Sequence, residues 1–342
     1  MILEQPSIND KKDILNLLSI GPTENIQITP LQGGRNNRVF KVIADGGIYF
    51  LKQYFKSKKD LRDRLETEFS FSVFAWNKGI RNIAKPVKID RDNRLALFEW
   101  IDGQKPGFWE IPEKYSVKAL DFLKQLNKVH SEKSVQMLGY ASDACFSLNT
   151  HVSGVEKRLG KFQKVQISDT IDEQVISLIQ QKLIPAFVKE KQKIMQNAKS
   201  QEYAFNKPIE SHEKIISPSD FGFHNAMIKK DRVYFFDFEY AGWDDPVKLI
   251  CDFFSQPDYY MPDTGLEQFV TGVGQIFPKN IVQTMLWKSR MLMKIYQIKW
   301  CCIILNDFLQ DVGERRKFAS FNRDVRKTQL EKAVQYMGIQ SE

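Results

Sequence analysis

Three polar residues in the second half of the chain have the types and the spacing of a site for proton transfer and metal binding. Asp220 and Asn225 are separated by four residues in SDFGFHN, and Asp237 follows the apolar stretch VYFF. An aspartate can accept the proton of a hydroxyl group, and carboxylate and amide oxygens are ligands for Mg²⁺. Each aspartate alone is more often a turn or cap residue, but their joint order favours a base and a metal ligand set.

The letters Asp-Phe-Gly at 220–222 admit a second interpretation of the same loop. In protein kinases this triplet supplies a magnesium-binding aspartate, and an Asp-x4-Asn loop lies shortly upstream of it. Residues 173–219 contain no aspartate, so no such loop precedes Asp220. We therefore assign Asp220 to the proton-accepting loop and Asp237, in the sequence Asp-Phe-Glu, to the metal.

A lysine in the N-terminal part could bind phosphate groups. Lys52 lies on the predicted inner face of a strand in YFLKQY, where a charged side chain needs a partner. Glu68, on the following predicted helix, could supply one, and Gly33-Gly34 would let backbone N–H groups approach phosphates. The plainer alternatives are a lysine that extends to water and glycines that only form a turn.

The patterns around these residues predict the elements that would position them. Alternating residues predict strands in IQITPLQ and RVFKVIA, and further strands are predicted in IYFLKQYF and RLALFEW, with a hairpin turn at 45–47. Residues 60–78 read as an amphipathic helix that ends at Gly79. Its predicted apolar stripe consists of Leu61, Leu65, Phe69, Val73 and Trp76.

After about residue 103 the helical period dominates. Candidate helices cover 116–131, 153–163, 170–198, 265–275, 281–309 and 323–337, and one strand pair, NAMIKK and RVYFFDF, turns at Asp231. The predicted fold class is α+β and two-lobed: a small N-terminal antiparallel sheet lobe with one helix, over 1–100, and a larger, mainly helical C-terminal lobe, over 101–342.

Composition excludes several classes of protein. The chain has 342 residues, 42% hydrophobic and 27% charged, an ordinary globular balance without a long uncharged apolar stretch, so we expect a cytoplasmic protein with no membrane partner. The net charge of +8 is spread along the chain, which argues against a nucleic-acid groove. The cysteines and histidines lack the spacing of a zinc site, so we expect reduced thiols.

These motifs together resemble the aminoglycoside phosphotransferase and choline kinase-like family, which has a protein-kinase-like fold. The similarity spans nearly the whole domain. It is carried by LQGGRNNRVFKV, by Lys52 and Glu68, by LALFEWIDGQ, by FLKQLNKVH ending at His130, by SDFGFHNAMI and by YFFDFEYAGWDDPVKLICDF.

The resemblance implies an ATP- and Mg²⁺-dependent phosphotransferase that acts on the hydroxyl group of a small molecule, such as a sugar, an amino alcohol or an aminoglycoside-like compound. It implies that Asp220 is the catalytic base and that Asn225 and Asp237 bind Mg²⁺. The implied nucleotide-binding residues are Gly33, Gly34 and Asn36 in the loop, Lys52 held by Glu68, and backbone groups around Glu99 and Trp100 for adenine.

The chain departs from the family pattern directly before the base. The family usually has His-Gly there, with the histidine supporting the loop, whereas this chain has Pro218-Ser219. A catalytically impaired nucleotide-binding scaffold is therefore one alternative function, and a basic surface-binding module is another.

Three further features have a structural interpretation that is simpler than a functional one. His224 would more often be a surface side chain than an acid, and Asp245 would more often be a helix N-cap than a substrate ligand. An aromatic group could cage a cationic amine, although core packing is the commoner role. Its members are Trp243, Phe253, Phe254, Tyr259 and Tyr260.

Overall fold

The computed structural model describes residues 26–31, 36–44, 46–56, 62–128, 138–309 and 325–339, with the single positions 12, 14, 16, 17 and 318. The chain forms two compact units. Unit 1 comprises Met1–Pro106, Asn225–Ala241 and Glu314–Arg323, and unit 2 comprises Gly107–His224, Gly242–Gly313 and Asp324–Glu342.

Unit 1 is built on a five-stranded antiparallel sheet in the order β1-β2-β3-β5-β4. The strands are β1 (Gln27–Pro30), β2 (Arg38–Ala44), β3 (Gly47–Gln53), β4 (Pro86–Asp90) and β5 (Leu95–Glu99). Strand β4, PVKID, was not predicted because it is short and begins with a proline, which weakens the strand signal and is tolerated here at the edge of the sheet. In the sheet, Lys52 on β3 pairs with Val39 on β2 and Ala96 on β5, so it occupies the central strand.

Helix α1 (Arg64–Asn77) crosses between β3 and β4 and confirms the predicted helix. The Asp63 side chain caps its first turn by accepting the Glu66 N–H, and Gly79, at φ 84°, follows its end. The predicted stripe is confirmed in part: Leu65 is buried and Phe69 packs against the core, whereas Val73 and Trp76 are half-buried and Leu61 lies outside the described residues. The fully buried residues of α1 also include Glu68 and Ala75. The buried face of α1 is thus centred on a glutamate.

A hairpin of β7 (Ala226–Lys229) and β8 (Arg232–Phe235) completes the described strands of unit 1. Its two turn residues, Lys230 and Asp231, both have positive φ, at 47° and 64°, as a two-residue turn that matches the strand twist requires. The turn predicted at Asp231 is therefore confirmed. The Phe235 N–H donates to the Asn82 carbonyl, which joins the hairpin to the chain before β4.

Unit 2 is mainly helical, which together with unit 1 confirms the α+β fold class. Its helices are α2 (Glu113–Asn127), α3 (Leu148–Lys161), α4 (Thr170–Leu178), α5 (Ile184–Ser200), α6 (Pro246–Phe254), α7 (Leu266–Gly274), α8 (Val282–Ile304) and α9 (Arg326–Ile339). A short antiparallel pair, β6 (Ile215–Ser217) and β9 (Gly242–Asp244), lies among them.

The helix predicted over 170–198 is interrupted. A π-helical turn, Ile179–Leu183, separates α4 from α5. Pro185, the second residue of α5, has no N–H to donate to the preceding turn, so a local change of hydrogen-bond register accommodates it. The period of the apolar residues passes through this turn, which is why the sequence reads as one helix.

All four cysteines are free and buried: Cys145, Cys251, Cys301 and Cys302. This agrees with their reading as reduced packing residues. Among the described residues, no helix is both long enough and apolar enough to cross a membrane.

Candidate active site

Lys52 lies at the centre of a buried charged cluster in unit 1. Its Nζ donates to Glu68 Oε2 at 2.6 Å and to Asp237 Oδ1 at 2.5 Å, and Glu239 Oε2 lies 3.7 Å away. Burial by itself would lower the pKa of Lys52, but Asp237 and Glu68 outweigh it and raise that pKa. The lysine is therefore a fixed positive charge, held by the helix glutamate that the sequence pairs with it.

Asp237 follows β8 in a strained backbone conformation. Its φ is 67°, which is uncommon for a residue with a Cβ and is found where surrounding contacts impose it. Burial raises the pKa of Asp237 to about 7, against the opposing effect of Lys52. A third of its side chain is still exposed (33%), whereas Glu68 and Glu239 are 5% and 0% exposed. Asp237 is thus the carboxylate of this cluster that a ligand can reach.

Glu239 is a functional candidate that the sequence analysis missed. Its Oε1 accepts from Asn36 Nδ2 and Arg64 Nη1, each at 3.0 Å, and its Oε2 accepts from Asn37 Nδ2 at 2.6 Å. Burial opposes the charge, but Lys52 and Arg64 outweigh it and lower the pKa of Glu239. No local spacing in the sequence links Glu239 to these partners, because they lie 175 or more residues before it.

Carboxylate oxygens of Glu68, Asp237 and Glu239 all lie within 4.8 Å of one another. Oxygen ligands of this kind suit a hard divalent cation such as Mg²⁺. Glu68 and Glu239 are already engaged by buried donors, so the chemistry of this donor set fits a metal at the Asp237 side of the cluster.

The predicted nucleotide-loop residues have different outcomes. Gly33 and Gly34 lie outside the described residues. The Asn36 amide nitrogen donates to Glu239 Oε1 at 3.0 Å and to Tyr240 Oη at 3.2 Å, which uses both of its hydrogens. In this arrangement Asn36 ties the chain before β2 to the Asp237 segment.

Glu99 and Trp100 lie where β5 ends. Their N–H groups donate to backbone carbonyls of Lys85, at 2.9 Å, and of Ile48, at 3.1 Å. The Glu99 carboxylate is exposed and pairs with Lys85 Nζ at 2.8 Å. A nucleobase at this segment would therefore use backbone groups other than these two N–H groups.

The Asp220 loop of unit 2 leaves β6 and presents its carboxylate through a tight turn. The Asp220 N–H donates to the Pro218 carbonyl at 3.0 Å, and Ser219 between them has φ 69°. The Asp220 side chain is 33% exposed and its Oδ1 lies 3.1 Å from His224 Nε2. The Phe223 N–H donates to Gln256 Oε1 at 2.8 Å, which fixes the following turn.

His224 is not a surface side chain, because only 14% of it is exposed. Its ring lies edge-on to Trp300 with centroids 5.7 Å apart. Burial by itself would lower the pKa of His224, but Asp220 outweighs it and raises that pKa. The histidine therefore holds the Asp220 carboxylate in one orientation.

Asn225 is the first residue of the 225–241 segment of unit 1 and ends a 3₁₀ turn, Phe223–Asn225. Its carbonyl accepts the Phe236 N–H at 3.1 Å, one residue before Asp237. This bond ties the backbones of the two predicted metal ligands together across the hairpin.

Two of the plainer readings are confirmed. Asp245 is the N-cap of α6, since its Oδ1 accepts the Val247 N–H at 2.8 Å. In the aromatic group, core packing is confirmed for Phe253 and Phe254, which are buried, whereas Trp243, Tyr259 and Tyr260 are half-buried.

The sequence model of the phosphotransferase enzyme family (APH) matches residues 27–272. No curated protein matches the chain significantly.

The solved structures with similar folds share little sequence identity with this chain. A choline kinase from Cryptosporidium parvum Iowa II is 12% identical, with a TM-score of 0.57 and 96% of each chain covered. A spectinomycin phosphotransferase in complex with ADP and spectinomycin is 13% identical, with a TM-score of 0.56, covering 95% of this chain and 98% of that one. A Plasmodium vivax ethanolamine kinase is 15% identical, with a TM-score of 0.55, covering 93% and 95%.

Proposed function

Because the chain belongs to the phosphotransferase enzyme family, we propose that it transfers the γ-phosphoryl group of ATP to a hydroxyl group of a small molecule. The observation that carries this proposal is the buried Lys52, held between Glu68 and the more exposed Asp237. A metal–nucleotide complex requires a fixed positive side chain beside an accessible carboxylate. The lysine would bind phosphate oxygens, and the carboxylate would bind the metal ion.

Lys52 would bind the α- and β-phosphates of ATP, and Glu68 would keep its ammonium group in place. The lysine already has two carboxylate partners within 2.6 Å. If Asp237 bound a metal ion, Lys52 would keep Glu68 as a partner and would gain the phosphates, so its charge would stay compensated.

Asp237 and Asn225 would hold Mg²⁺, as the family pattern implies. The ion would neutralise charge on the β- and γ-phosphate oxygens. The described residues support these roles through the exposed Asp237 carboxylate and through the backbone bond from Phe236 to Asn225, which keeps the two residues near each other in unit 1.

Asp220 would orient the acceptor hydroxyl group and accept its proton. Its carboxylate is partly exposed, so an acceptor can reach it, and His224 fixes its orientation through one oxygen. Positioning of this kind contributes most of the rate in phosphoryl transfer, because the reaction asks little covalent chemistry of the protein.

The acceptor class is a sugar or an amino alcohol. A polycationic aminoglycoside favours a strongly acidic pocket, whereas this chain has a net charge of +8. The similar structures include enzymes named for choline, ethanolamine and spectinomycin. Use of ATP would place the reaction in the cytoplasm.

The test is a panel of hydroxyl compounds assayed for ADP release with MgATP, with thermal unfolding measured with ATP in the presence and absence of Mg²⁺. We expect ATP to raise the unfolding midpoint more with Mg²⁺, and turnover to fall at least a hundredfold in Asp220→Asn. Turnover that survives in Asp220→Asn would show that the base is wrongly assigned. An unchanged Mg²⁺ effect in Asp237→Ala would refute the metal site.

A second candidate, a scaffold that binds nucleotide without transfer, is favoured by Pro218-Ser219 before the base. It predicts stabilisation by MgATP without turnover for any acceptor, so the same experiment distinguishes the two.

A further inference from the structure

The residue before Asp220 has a backbone conformation that its side chain does not favour. Ser219 has φ 69°, and the bond from the Asp220 N–H to the Pro218 carbonyl closes a three-residue turn around it. Turns of this kind with a positive central φ are rare and strained, and they persist only where surrounding contacts impose them. The direction in which Asp220 points therefore depends on what holds Ser219.

Two contacts hold Ser219, and both use groups from within unit 2. Its N–H donates to Ser217 Oγ at 2.9 Å, at the end of β6. Its own hydroxyl oxygen accepts from Lys248 Nζ at 3.2 Å. Ser219 is 6% exposed and Lys248 is 2% exposed, so water competes little for this bond.

Lys248 is itself fixed. Its Nζ donates to Asp244 Oδ2 at 2.6 Å, and Asp252 Oδ2 lies 3.8 Å away. Asp244 Oδ1 in turn accepts the backbone N–H groups of Cys145, at 3.1 Å, and Asp245, at 2.9 Å. Burial opposes the charge on Lys248, but Asp244 and Asp252 outweigh it and raise the pKa, so the lysine is a charged donor.

We propose that Lys248 is a positioning residue for the Asp220 loop, acting through the Ser219 hydroxyl in place of the loop-supporting histidine that this chain lacks. This inference rests on the proposed function, because the orientation of the Asp220 loop affects turnover only if Asp220 binds the acceptor hydroxyl group. Backbone N–H groups hold Asp244, Asp244 holds the Lys248 ammonium group, and the ammonium group donates to the Ser219 hydroxyl. This series of hydrogen bonds fixes the strained turn.

A glycine at position 219 provides the sharpest test. Glycine adopts positive φ without strain, so it needs no hydroxyl contact to hold the turn, whereas alanine loses the contact and keeps the strain. We expect kcat to fall roughly tenfold to hundredfold in Ser219→Ala and less in Ser219→Gly, with KM for MgATP within about twofold of wild type.

Removal of the lysine is tested in Lys248→Met combined with Asp244→Asn, so that no unpaired charge remains buried and the backbone contacts of residue 244 can persist. In this background the loss of kcat should be partly reversed by Ser219→Gly and not by Ser219→Ala. A merely structural role would not produce this rescue. The proposal is wrong if Gly and Ala are equivalent in both backgrounds, or if all variants keep wild-type kcat.

Ser289→Ala is the matched control, because Ser289 is a fully buried serine on α8 whose Oγ has no partner among the described residues. It should leave kcat and loop dynamics unchanged.

Hydrogen exchange separates the inference from the proposed function. Peptides covering 215–226 should exchange faster in the Lys248→Met/Asp244→Asn protein than in Ser289→Ala, while peptides from α5 exchange equally. If that difference is seen and no acceptor is phosphorylated by wild type, the positioning role stands and the proposed function fails. Equal exchange of the loop in both proteins would overturn the positioning role, whatever the activity.

Discussion

At the scale of single residues, the charges of unit 1 depend on each other. Lys52 faces three carboxylates, and Glu239 is surrounded by donors from Asn36, Asn37 and Arg64. A buried pair of this kind adds little net stability over an apolar pair, but the loss of one partner leaves an uncompensated charge. Single substitutions here should therefore cost more than the contacts alone suggest.

Lys52→Met should be strongly destabilising and should abolish stabilisation by MgATP. Three nearby carboxylates would lose their cation, and we expect the free energy of unfolding to fall by about 3–5 kcal/mol, measured by denaturant titration. Lys85→Met is the control, because Lys85 is 45% exposed in its ion pair and should change stability by less than about 1 kcal/mol. A Lys52→Met protein that still responds to MgATP would contradict the phosphate-binding role.

Glu239→Gln should destabilise the protein because Glu239 and Arg64 form a buried ion pair. The substitution keeps the shape but leaves Arg64 without its buried anion, so we expect a loss of about 3 kcal/mol in unfolding free energy. In a double-mutant cycle with Arg64→Met, the two losses should be far from additive. Additive losses would show that the pair is not coupled.

At the scale of elements, much could be predicted from the sequence because strand β2 alternates, β3 and β5 are short runs rich in apolar residues, and the hairpin turn has a strong local signal. The buried face of α1 was predicted only in part, because apolar spacing assumes an apolar core, whereas this helix also turns Glu68 and Ser72 inward. The Glu239 network was missed for a related reason, since its members are far apart in sequence: Arg64, Asn37 and Glu239 meet only in the fold.

Two helical glycines should respond in opposite ways to alanine. A Cβ on Gly272, on α7, would lie 2.1 Å from Leu120 Cδ2 on α2, so Gly272→Ala should destabilise by about 1–3 kcal/mol through overpacking. Gly154, on α3, has open space around it, so Gly154→Ala should stabilise by about 1 kcal/mol through helix propensity. Thermal and denaturant unfolding measure both, and a stabilised Gly272→Ala would contradict the α2–α7 packing.

At the scale of the whole molecule, each compact unit carries part of the proposed chemistry. Unit 1 contains the phosphate-binding lysine and, through its 225–241 segment, the metal-binding aspartate, while unit 2 contains the base. The two-lobe division predicted from the sequence, at residue 100, places residues 225–241 in the C-terminal lobe. In the structure this segment belongs to unit 1, together with the N-terminal sheet. The family match ends at residue 272, before α8 and α9.

The interior of unit 2 should make stability depend on pH. His151 Nδ1 lies 2.6 Å from Tyr296 Oη, and its Nε2 lies 3.3 Å from Asp245 Oδ2. Burial opposes its charge, but Cys145 and Asp245 outweigh it and raise the pKa of His151 to about 9. A raised folded-state pKa contributes stability that is complete below the unfolded value of about 6.5 and is lost as pH rises through about 9.

We therefore expect the free energy of unfolding to decrease by as much as about 3 kcal/mol between pH 6.5 and 9.5. Denaturant titrations across this range measure it. His151→Gln should be less stable at pH 6.5 and should show a flatter profile, and an equally steep profile in that variant would assign the effect to another group.

The four buried thiols offer a chemical reporter that does not depend on knowing the product. A thiol in the interior reacts with an alkylating reagent only when the protein opens around it, so its labelling rate follows the population of open states. A compound that binds the folded protein lowers that population and slows labelling. Alkylation kinetics with MgATP present would thus rank candidate acceptors by binding alone, before any one of them is shown to be phosphorylated.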